Sequence, residues 1–321
     1  MYADIKHLLP SDIALKRKLC GIMNASPGKY EIIDNGYYHT LYVKNLEPDR
    51  VRLIISGGGG FGLMFPFFAD NQLVDASCEG EYDSAPNAYA LYEVAKLLDS
   101  EKGVLFLTNN YAGDFLNNDM AVELLQNEGI AAIACYACDD IFSAVGKDRK
   151  ERGGLIGGAV LSKIAAMAAE MKLPLQEVYE ITEAANQRLS SGSIVIDWKS
   201  GSCKLGAGFS GEDPIIEMPF SDWDTVIGAL LEKLLEDLAP SDDETLHLTL
   251  SRMSGTSYME SYGMTYTAES LLSDMGYQIG GRVCAQYFDE FDESGAIINL
   301  YACSSAMKKY YRYVKARDFV I

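Results

Sequence analysis

The sequence has few histidines and few basic residues. Three histidines, His7, His39 and His247, stand among 321 residues, so any mechanism that uses an imidazole must use one of them, and none lies in a motif. Lys and Arg number 27 against 46 Asp and Glu, which gives a net charge of −19. This balance argues against binding to nucleic-acid backbones, which requires clustered Lys and Arg, and against docking on anionic membranes.

Long apolar runs are also missing. No stretch of about 18 apolar residues occurs, so we expect no transmembrane helix, and the first residues lack the apolar centre of a signal peptide. The seven cysteines are an odd number scattered along the chain, which is typical of reduced thiols rather than of a disulfide framework. We therefore expect a cytoplasmic protein, and its length suggests about two domains.

The first half alternates strand and helix patterns. Apolar runs at 51–56, 103–108 and 130–134 predict three strands, and helical patterns at 85–98 and 117–128 lie between them. The alternation is typical of a parallel sheet flanked by helices, in which the ligand crevice lies beyond the carboxyl ends of the strands. We therefore predict that the polar segments after the strands converge on one site; they are residues 57–60, 109–114 and 139–140.

The second half predicts further α/β structure. The Ala-rich segment 155–171 is apolar nearly all round, which predicts a buried helix. Later patterns predict helices at 175–189 and 222–238 and strands at 193–198, 247–251, 282–286 and 296–302. We place the domain boundary near residue 190. The predicted fold is two α/β domains, 1–190 and 191–321, each with a mainly parallel or mixed sheet flanked by helices.

An ordered set of motifs resembles the substrate-binding subunit of dihydroxyacetone kinase, the DhaK or Dak1-type domain. The family's SGGGSGHEP, KNYTGD and GVGIHGEPG read here as SGGGGFGLMFP, NNYAGDFLNNDMAVELL and GAGFSGEDP. The segments CEGEYDSAP (78–86), ERGGLIGGAVLSKIAA (151–166) and SGTSYMESYG (254–263) are similar to further family segments. The resemblance covers nearly the whole chain, and the order of the segments makes it specific.

The resemblance implies a homodimer of two-domain α/β chains that binds dihydroxyacetone or a related short ketose or polyol. It implies that this chain carries no cofactor of its own, and that the nucleotide lies on a DhaL-like helical partner subunit that delivers the phosphoryl group. The chain has no GxxxxGK[ST] motif, so a kinase function requires that partner. We expect no bound metal.

Four residues are candidates for the site. The resemblance places the family's general base at Asp114, whose carboxylate would accept the proton of the attacking ketose hydroxyl. It places substrate contacts at Gly58 and Gly59, where the absence of a side chain lets backbone N–H groups approach a ligand. The alternatives are that Asp114 caps a helix and that the glycines form a tight turn. The fourth candidate, Ser210, stands where the family has another residue.

Two departures from the family pattern bear on activity. The family histidine that bonds covalently to the ketose carbonyl is replaced by Ser210, and a hydroxyl without an activating base is a poor nucleophile. The histidine of GHEP is also absent, and the apolar residues of 63–68 would line or fill the pocket. A chain with these changes holds the scaffold of the family without its two histidines.

Three functions therefore stay open. The chain is the ketose-binding subunit of a phosphotransferase-type kinase, a non-catalytic paralogue that senses a ligand or regulates a partner, or a protein whose pocket is adapted to an apolar ligand. Two smaller features also have alternatives. The CxxC at 135–138 predicts buried thiols rather than a zinc or redox site. The charged stretch 147–152 is either a solvated loop or a basic patch for an acidic partner.

Overall fold

The computed structural model of the chain describes residues 11–35, 38–59, 73–82, 84–207, 213–287 and 293–311. The described residues form two compact units. Unit 1 draws on Met1–Tyr136 and Ala165–Glu180, and unit 2 draws on Ala137–Ile164 and Ile181–Ile321. The single boundary predicted near residue 190 differs from this division, because residues 165–180 follow a part of unit 2 in sequence but pack with unit 1.

The first half of the chain contains three helices and six strands among its described residues. They are α1 (Ser11–Ala25), β1 (Tyr30–Asp34), β2 (His39–Val43), β3 (Arg52–Gly59), β4 (Ala76–Tyr82), α2 (Ala88–Leu98), β5 (Val104–Asn109), α3 (Ala112–Asn127) and β6 (Ala132–Ala137). The strands form one sheet in the order β1-β2-β4-β3-β5-β6. β3 pairs in parallel with β4 and β5, and β1 and β2 add an antiparallel edge.

Helix α2 illustrates how the sequence builds unit 1. The side chain of Asn87 accepts a hydrogen bond from the N–H of Tyr89 and so caps the helix. Buried residues then recur at helical spacing, and Leu91 and Val94 pack against Ile54 of β3 and Phe106 of β5. At its far end, the carbonyl of Leu98 accepts a 2.9 Å hydrogen bond from Arg52 Nε at the start of β3. Helix α2 therefore ends beside the amino end of β3.

The rest of the chain contains four helices and six strands among its described residues, together with two short 3₁₀ turns (Arg149–Glu151 and Lys308–Tyr310). The helices and strands are α4 (Gly157–Glu170), α5 (Leu175–Asn186), β7 (Leu189–Asp197), β8 (Ser202–Leu205), β9 (Ile216–Pro219), α6 (Trp223–Leu238), β10 (Thr245–Arg252), α7 (Tyr258–Asp274), β11 (Ile279–Ala285) and β12 (Ser294–Cys303). The divisions between the units fall inside β6, α4 and α5.

The sheet of unit 2 is mixed, with the strand order β11-β10-β12-β7-β8-β9. Only the β10–β11 pair is parallel among the described pairs, and the others are antiparallel. One apolar face of α6, including Leu230, Leu231 and Leu234, packs in the core with residues of these strands. Two α/β units with helix-flanked, mixed sheets confirm the predicted fold class.

The charged stretch 147–152 is neither a free loop nor an open basic patch. Arg152 makes two hydrogen bonds to Asp237 of α6, at 2.6 and 3.1 Å, and Arg149 lies 3.3 Å from the same carboxylate. Ser190 also donates to Asp237. Lys147, Asp148, Lys150 and Glu151 are exposed, as the solvated-loop alternative predicts. The other two residues, Arg149 and Arg152, hold the stretch against α6.

Unit 2 offers a test of close packing at a motif glycine. Gly206 and Gly201 both have positive φ, +75° and +69°, but a Cβ at Gly206 would overlap the ring of Phe142, whereas one at Gly201 would meet nothing within 4 Å. We expect Gly201→Ala to cost about 1 kcal/mol of stability from backbone strain. Gly206→Ala should cost ~1–3 kcal/mol more, because overpacking adds to the strain.

Urea unfolding followed by tryptophan fluorescence measures this difference. Both tryptophans of the chain, Trp198 and Trp223, lie in unit 2, so their emission reports on that unit. Equal losses in the two variants would show that the overlap with Phe142 relaxes without cost.

Candidate functional site

The pairing of the glycine-rich end of β3 with β4 contains a β-bulge or similar irregularity, whose extra residue lies in β4. Gly57 pairs with Glu79 of β4, but Gly59 pairs with Tyr82, so the register shifts between them and Gly58 has no partner in the register with β4. The pairing of β3 with β5 ends earlier, at Ile55. Bulges free backbone groups and are frequent beside active sites. The register shift leaves Gly58 without a partner in β4, and the substrate contact predicted for this residue stays a prediction.

Asp114 lies in the first turn of α3, the helix that follows β5. The helix begins at Ala112 with Tyr111 as its N-cap residue, and no side-chain hydrogen bond caps it. Asp114 is 8% exposed, and its Oδ1 has no hydrogen-bond partner among the described residues. Burial raises the pKa of this carboxyl from 3.8 to about 7. The cap alternative for Asp114 is therefore wrong in the described structure, since Tyr111 occupies the cap position.

Asn118 joins these two parts of unit 1. Its Nδ2 donates to Ser56 Oγ at 3.0 Å and to the carbonyl of Asp114 at 2.8 Å, so those two oxygens lie within about 6 Å of each other. Ser56 immediately precedes the glycines, and its carbonyl accepts a 2.8 Å hydrogen bond from Thr108 Oγ1 of β5. The carboxyl-terminal halves of β3 and β5 and the first two turns of α3 thus meet at one place.

The sequence interpretation missed Asn118, Ser56 and Thr108. A usable signal was present, because Asn118 follows Asp114 by one helical turn and Ser56 directly precedes the glycine run. All three side chains are buried, and buried polar groups of this kind are retained only with hydrogen-bond partners. Together they fix the position of Asp114 relative to the end of β3.

This arrangement suits proton abstraction. A carboxyl with a pKa near 7 is deprotonated in part at neutral pH and is basic enough to accept a proton from a bound hydroxyl, which is the compromise that general-base catalysis favours. Burial is the cause of the shift. The neighbouring strand end offers backbone groups that can orient such a hydroxyl.

The acidic pair at 139–140 has a structural role in unit 2. Asp139 is fully buried and accepts hydrogen bonds from the N–H groups of Leu155 (3.0 Å) and Gly157 (2.8 Å) and from the Ser191 hydroxyl. Asp140 accepts from the N–H of Phe142 at 3.0 Å. The prediction that this pair serves a ligand crevice is not supported by these contacts, because the Asp139 oxygens already hold the start of α4.

The other predicted residues fall into two groups. Ser210, His7, the apolar segment 63–68 and the remaining glycine of the run lie outside the described residues, and of Gly59 only its place at the end of β3 is described. His39 is in β2 with Nδ1 3.0 Å from Asp34. His247 is buried in β10, where burial lowers its pKa to about 4. Neither histidine belongs to the bulge or to the first turn of α3.

Along the described part of the chain, no group of three or more His, Cys, Asp or Glu side chains is arranged to hold a metal ion. The seven cysteines are thiols outside any disulfide, and Cys135 and Cys138 of the CxxC are buried. Within the same described ranges, every helix is too short or too polar to span a bilayer.

A family model described as the Dak1 domain matches residues 20–317. The chain belongs to the Dak1 domain family. It is 28% identical over 309 residues to the PTS-dependent dihydroxyacetone kinase 2, dihydroxyacetone-binding subunit DhaK, of Listeria innocua, and the match covers 92% of each chain. The resemblance inferred from the motifs is thereby confirmed.

Two further comparisons broaden the picture. The D-erythrulose kinase of Mycolicibacterium smegmatis is 28% identical over 283 residues, which are 83% of this chain and 48% of that protein, so the chain spans about half its length. The solved structure titled dihydroxyacetone kinase operon co-activator Dha-DhaQ has a TM-score of 0.83 at 18% identity, covering 92% of this chain and 94% of that one. The latter likeness is evidence for the fold.

Proposed function

We propose that this chain binds dihydroxyacetone or a related small ketose or polyol and presents a hydroxyl group for phosphorylation by a separate nucleotide-bearing subunit. Asp114 acts as the general base, Gly58 and Gly59 orient the substrate, and Ser210 contacts it. The chain works in the cytoplasm as a homodimer, without a cofactor of its own, beside a DhaL-like partner. The observation that carries the proposal is the buried carboxyl oxygen of Asp114, which has no hydrogen-bond partner among the described residues, near the end of β3 where the register with β4 shifts.

The relatives support the substrate class. One is a dihydroxyacetone-binding subunit and another is an erythrulose kinase, so short ketoses are the compounds to test first. The loss of the family histidine at Ser210 removes covalent capture of the carbonyl. Selection for a carbonyl over a plain polyol should therefore be weak, since only hydrogen bonds remain to distinguish the two.

A second candidate is a regulatory paralogue. The same fold occurs in a protein titled an operon co-activator, and the replacement of the histidine by Ser210 favours loss of turnover. Such a chain would bind its ligand or partner without transferring phosphate. The apolar-ligand alternative rests on 63–68, which lies outside the described residues.

Phosphate transfer to dihydroxyacetone, erythrulose and glycerol separates these functions. The purified chain is mixed with the ADP-loaded donor subunit from the same organism and its phosphorylating component, and phosphorylated product is measured. We expect turnover with all three and a smaller preference for the ketoses than a histidine-bearing relative shows in the same assay. Absence of product, with the relative active, would reject the kinase function; ligand-dependent partner binding without product would support the regulatory one.

A further inference from the structure

Two exposed apolar residues follow Asp114 on the outer face of α3. Leu116 is 60% exposed and Met120 is 54% exposed, and their spacing of four residues places them on one face. Leu116 is the fifth residue of the helix, so it lies within roughly 8 Å of the helix start along the axis. Leu116 therefore lies just beyond the first turn, which holds the candidate base, and Met120 lies about one turn further along the same outer face.

Helix α3, which carries this pair, is itself acidic. The sequence of α3, AGDFLNNDMAVELLQN, contains Asp114, Asp119 and Glu123 but neither lysine nor arginine. A second copy of this chain would bring a second acid-only helix to the face, inside a chain of net charge −19, and like charges brought together oppose binding. A partner protein whose contact face has an apolar pocket and a basic rim would fit this face of α3, because the cations of the rim would lie opposite Asp119 and Glu123.

Chemistry selects the same partner. If Asp114 deprotonates a bound hydroxyl, the phosphoryl group must approach that hydroxyl from beyond the carboxyl ends of β3 and β5. The donor subunit must then contact the surface beside the turn of α3 that holds Asp114. Among the described residues of α3, Leu116 and Met120 are the large apolar side chains that are most exposed there.

We propose that Leu116 and Met120 form part of the docking surface for the nucleotide-bearing phosphoryl donor, whose contact face is apolar at its centre and basic at its rim. The inference rests on the proposed function and deepens it. Buried apolar anchors inside a polar rim carry most of the affinity of such interfaces. The acidic rim of α3 adds rate and salt dependence rather than much affinity.

The chain supplies a matched control. Leu97 of α2 is 56% exposed, nearly as much as Leu116, but it lies beside the amino end of β3, where Leu98 meets Arg52. The control residue is thus of the same type and exposure at the opposite end of the same sheet. Lysine is the substitution of choice, because it keeps helix propensity and places a repelling charge before a basic rim.

The experiment measures binding of Leu116→Lys, Met120→Lys and Leu97→Lys to the ADP-loaded donor subunit by calorimetry, with thermal unfolding as the folding control. We expect a loss of at least about tenfold in affinity for the first two, less than twofold for Leu97→Lys, and no change in ketose binding by the isolated chain. In the transfer assay, the donor concentration for half-maximal rate should rise while the rate at saturation stays unchanged.

Other outcomes overturn the inference in distinguishable ways. If all three variants bind the donor as the wild type does, the docking surface lies elsewhere and the proposed function stands. If Leu116→Lys changes the oligomeric state of the isolated chain and not donor binding, the face belongs to a second copy. If the wild-type chain neither binds the donor nor transfers phosphate, both the proposed function and this inference are rejected.

Discussion

Replacing Asp114 with asparagine is expected to abolish phosphate transfer and, at the same time, to make unit 1 more stable. The loss of a general base typically lowers turnover by ~10²–10⁴-fold, and an amide of the same size keeps the shape of the site. Transfer should fall to that extent at saturating donor, while the donor binds as tightly as before. A variant with turnover within threefold of wild type would remove Asp114 from the mechanism.

The stability gain follows from the direction of the pKa shift. Burial raises the pKa of Asp114 from 3.8 to about 7, so the folded chain binds more protons than the unfolded chain between those values. Stability contributed by the neutral carboxyl is present below about pH 4 and is lost as pH rises towards 7. At pH 8 the asparagine variant should therefore be more stable by roughly 2–4 kcal/mol, and at pH 4 it should match the wild type.

Two measurements test this pair of effects. Hydrogen exchange of β3 and β5 amides at pH 4 and pH 8 reports the local stability of unit 1, which contains neither tryptophan. The transfer rate of the wild type should rise with pH and level off above about pH 7. Glu123→Gln is the control, because this carboxylate lies exposed on the same helix; it should change neither the local stability nor the transfer rate at saturating donor. A destabilised Asp114→Asn would indicate a structural carboxylate.

Replacing Asp139 with alanine is expected to destabilise unit 2 by about 3–5 kcal/mol. The substitution leaves the N–H groups of Leu155 and Gly157 and the hydroxyl of Ser191 without their acceptor in a fully buried place. Ser191 in turn accepts a 2.8 Å hydrogen bond from Asn299 of β12, so the loss reaches the central strands. Each orphaned buried donor costs on the order of 1–3 kcal/mol.

Tryptophan fluorescence in urea measures the effect, because Trp198 and Trp223 both belong to unit 2. Asp242→Ala, in the exposed turn before β10, is the control and should shift stability by less than about 0.5 kcal/mol. The m-value should stay constant if the native and unfolded states are otherwise unchanged. A loss below 1 kcal/mol for Asp139→Ala would show that water replaces the carboxylate.

The hydrophobic patterns of the sequence predicted the apolar strands that alternate with helices in unit 1. The apolar runs ending at Ser56 and Thr108 mark β3 and β5 closely, because buried parallel strands are apolar on both faces. The run 130–134 shares only residues 132–134 with β6. The strand β4 escaped this test, since its sequence ASCEGEY is polar although most of it is buried. Its buried polar side chains have specific partners, such as Lys18, which forms an ion pair with Glu79. The hydrophobic periodicity of a sequence does not reveal such partners.

The candidate site was predictable in its residue types but not in its geometry. The position of Asp114 after a strand and a glycine run at Gly58 indicated a meeting point at the carboxyl ends of neighbouring strands. The register shift at Gly58 depends on the pairing of β3 with β4, which is non-local information. The burial that raises the pKa of Asp114 likewise depends on packing around the side chain, so the sequence could name the base without giving its proton affinity.

The interleaving of the two units has a consequence for synthesis on the ribosome. Unit 1 is complete only when Glu180 has left the exit tunnel, and by then residues 137–164 of unit 2 have emerged without β7, β10 and β12. Three residues of this segment are buried in the folded protein, namely Leu155, Ile156 and Val160. At that stage of synthesis they are exposed to solvent, because the strands of unit 2 have not yet been made. Nascent chains paused between Glu180 and Leu189 should be the species most readily captured by chaperones.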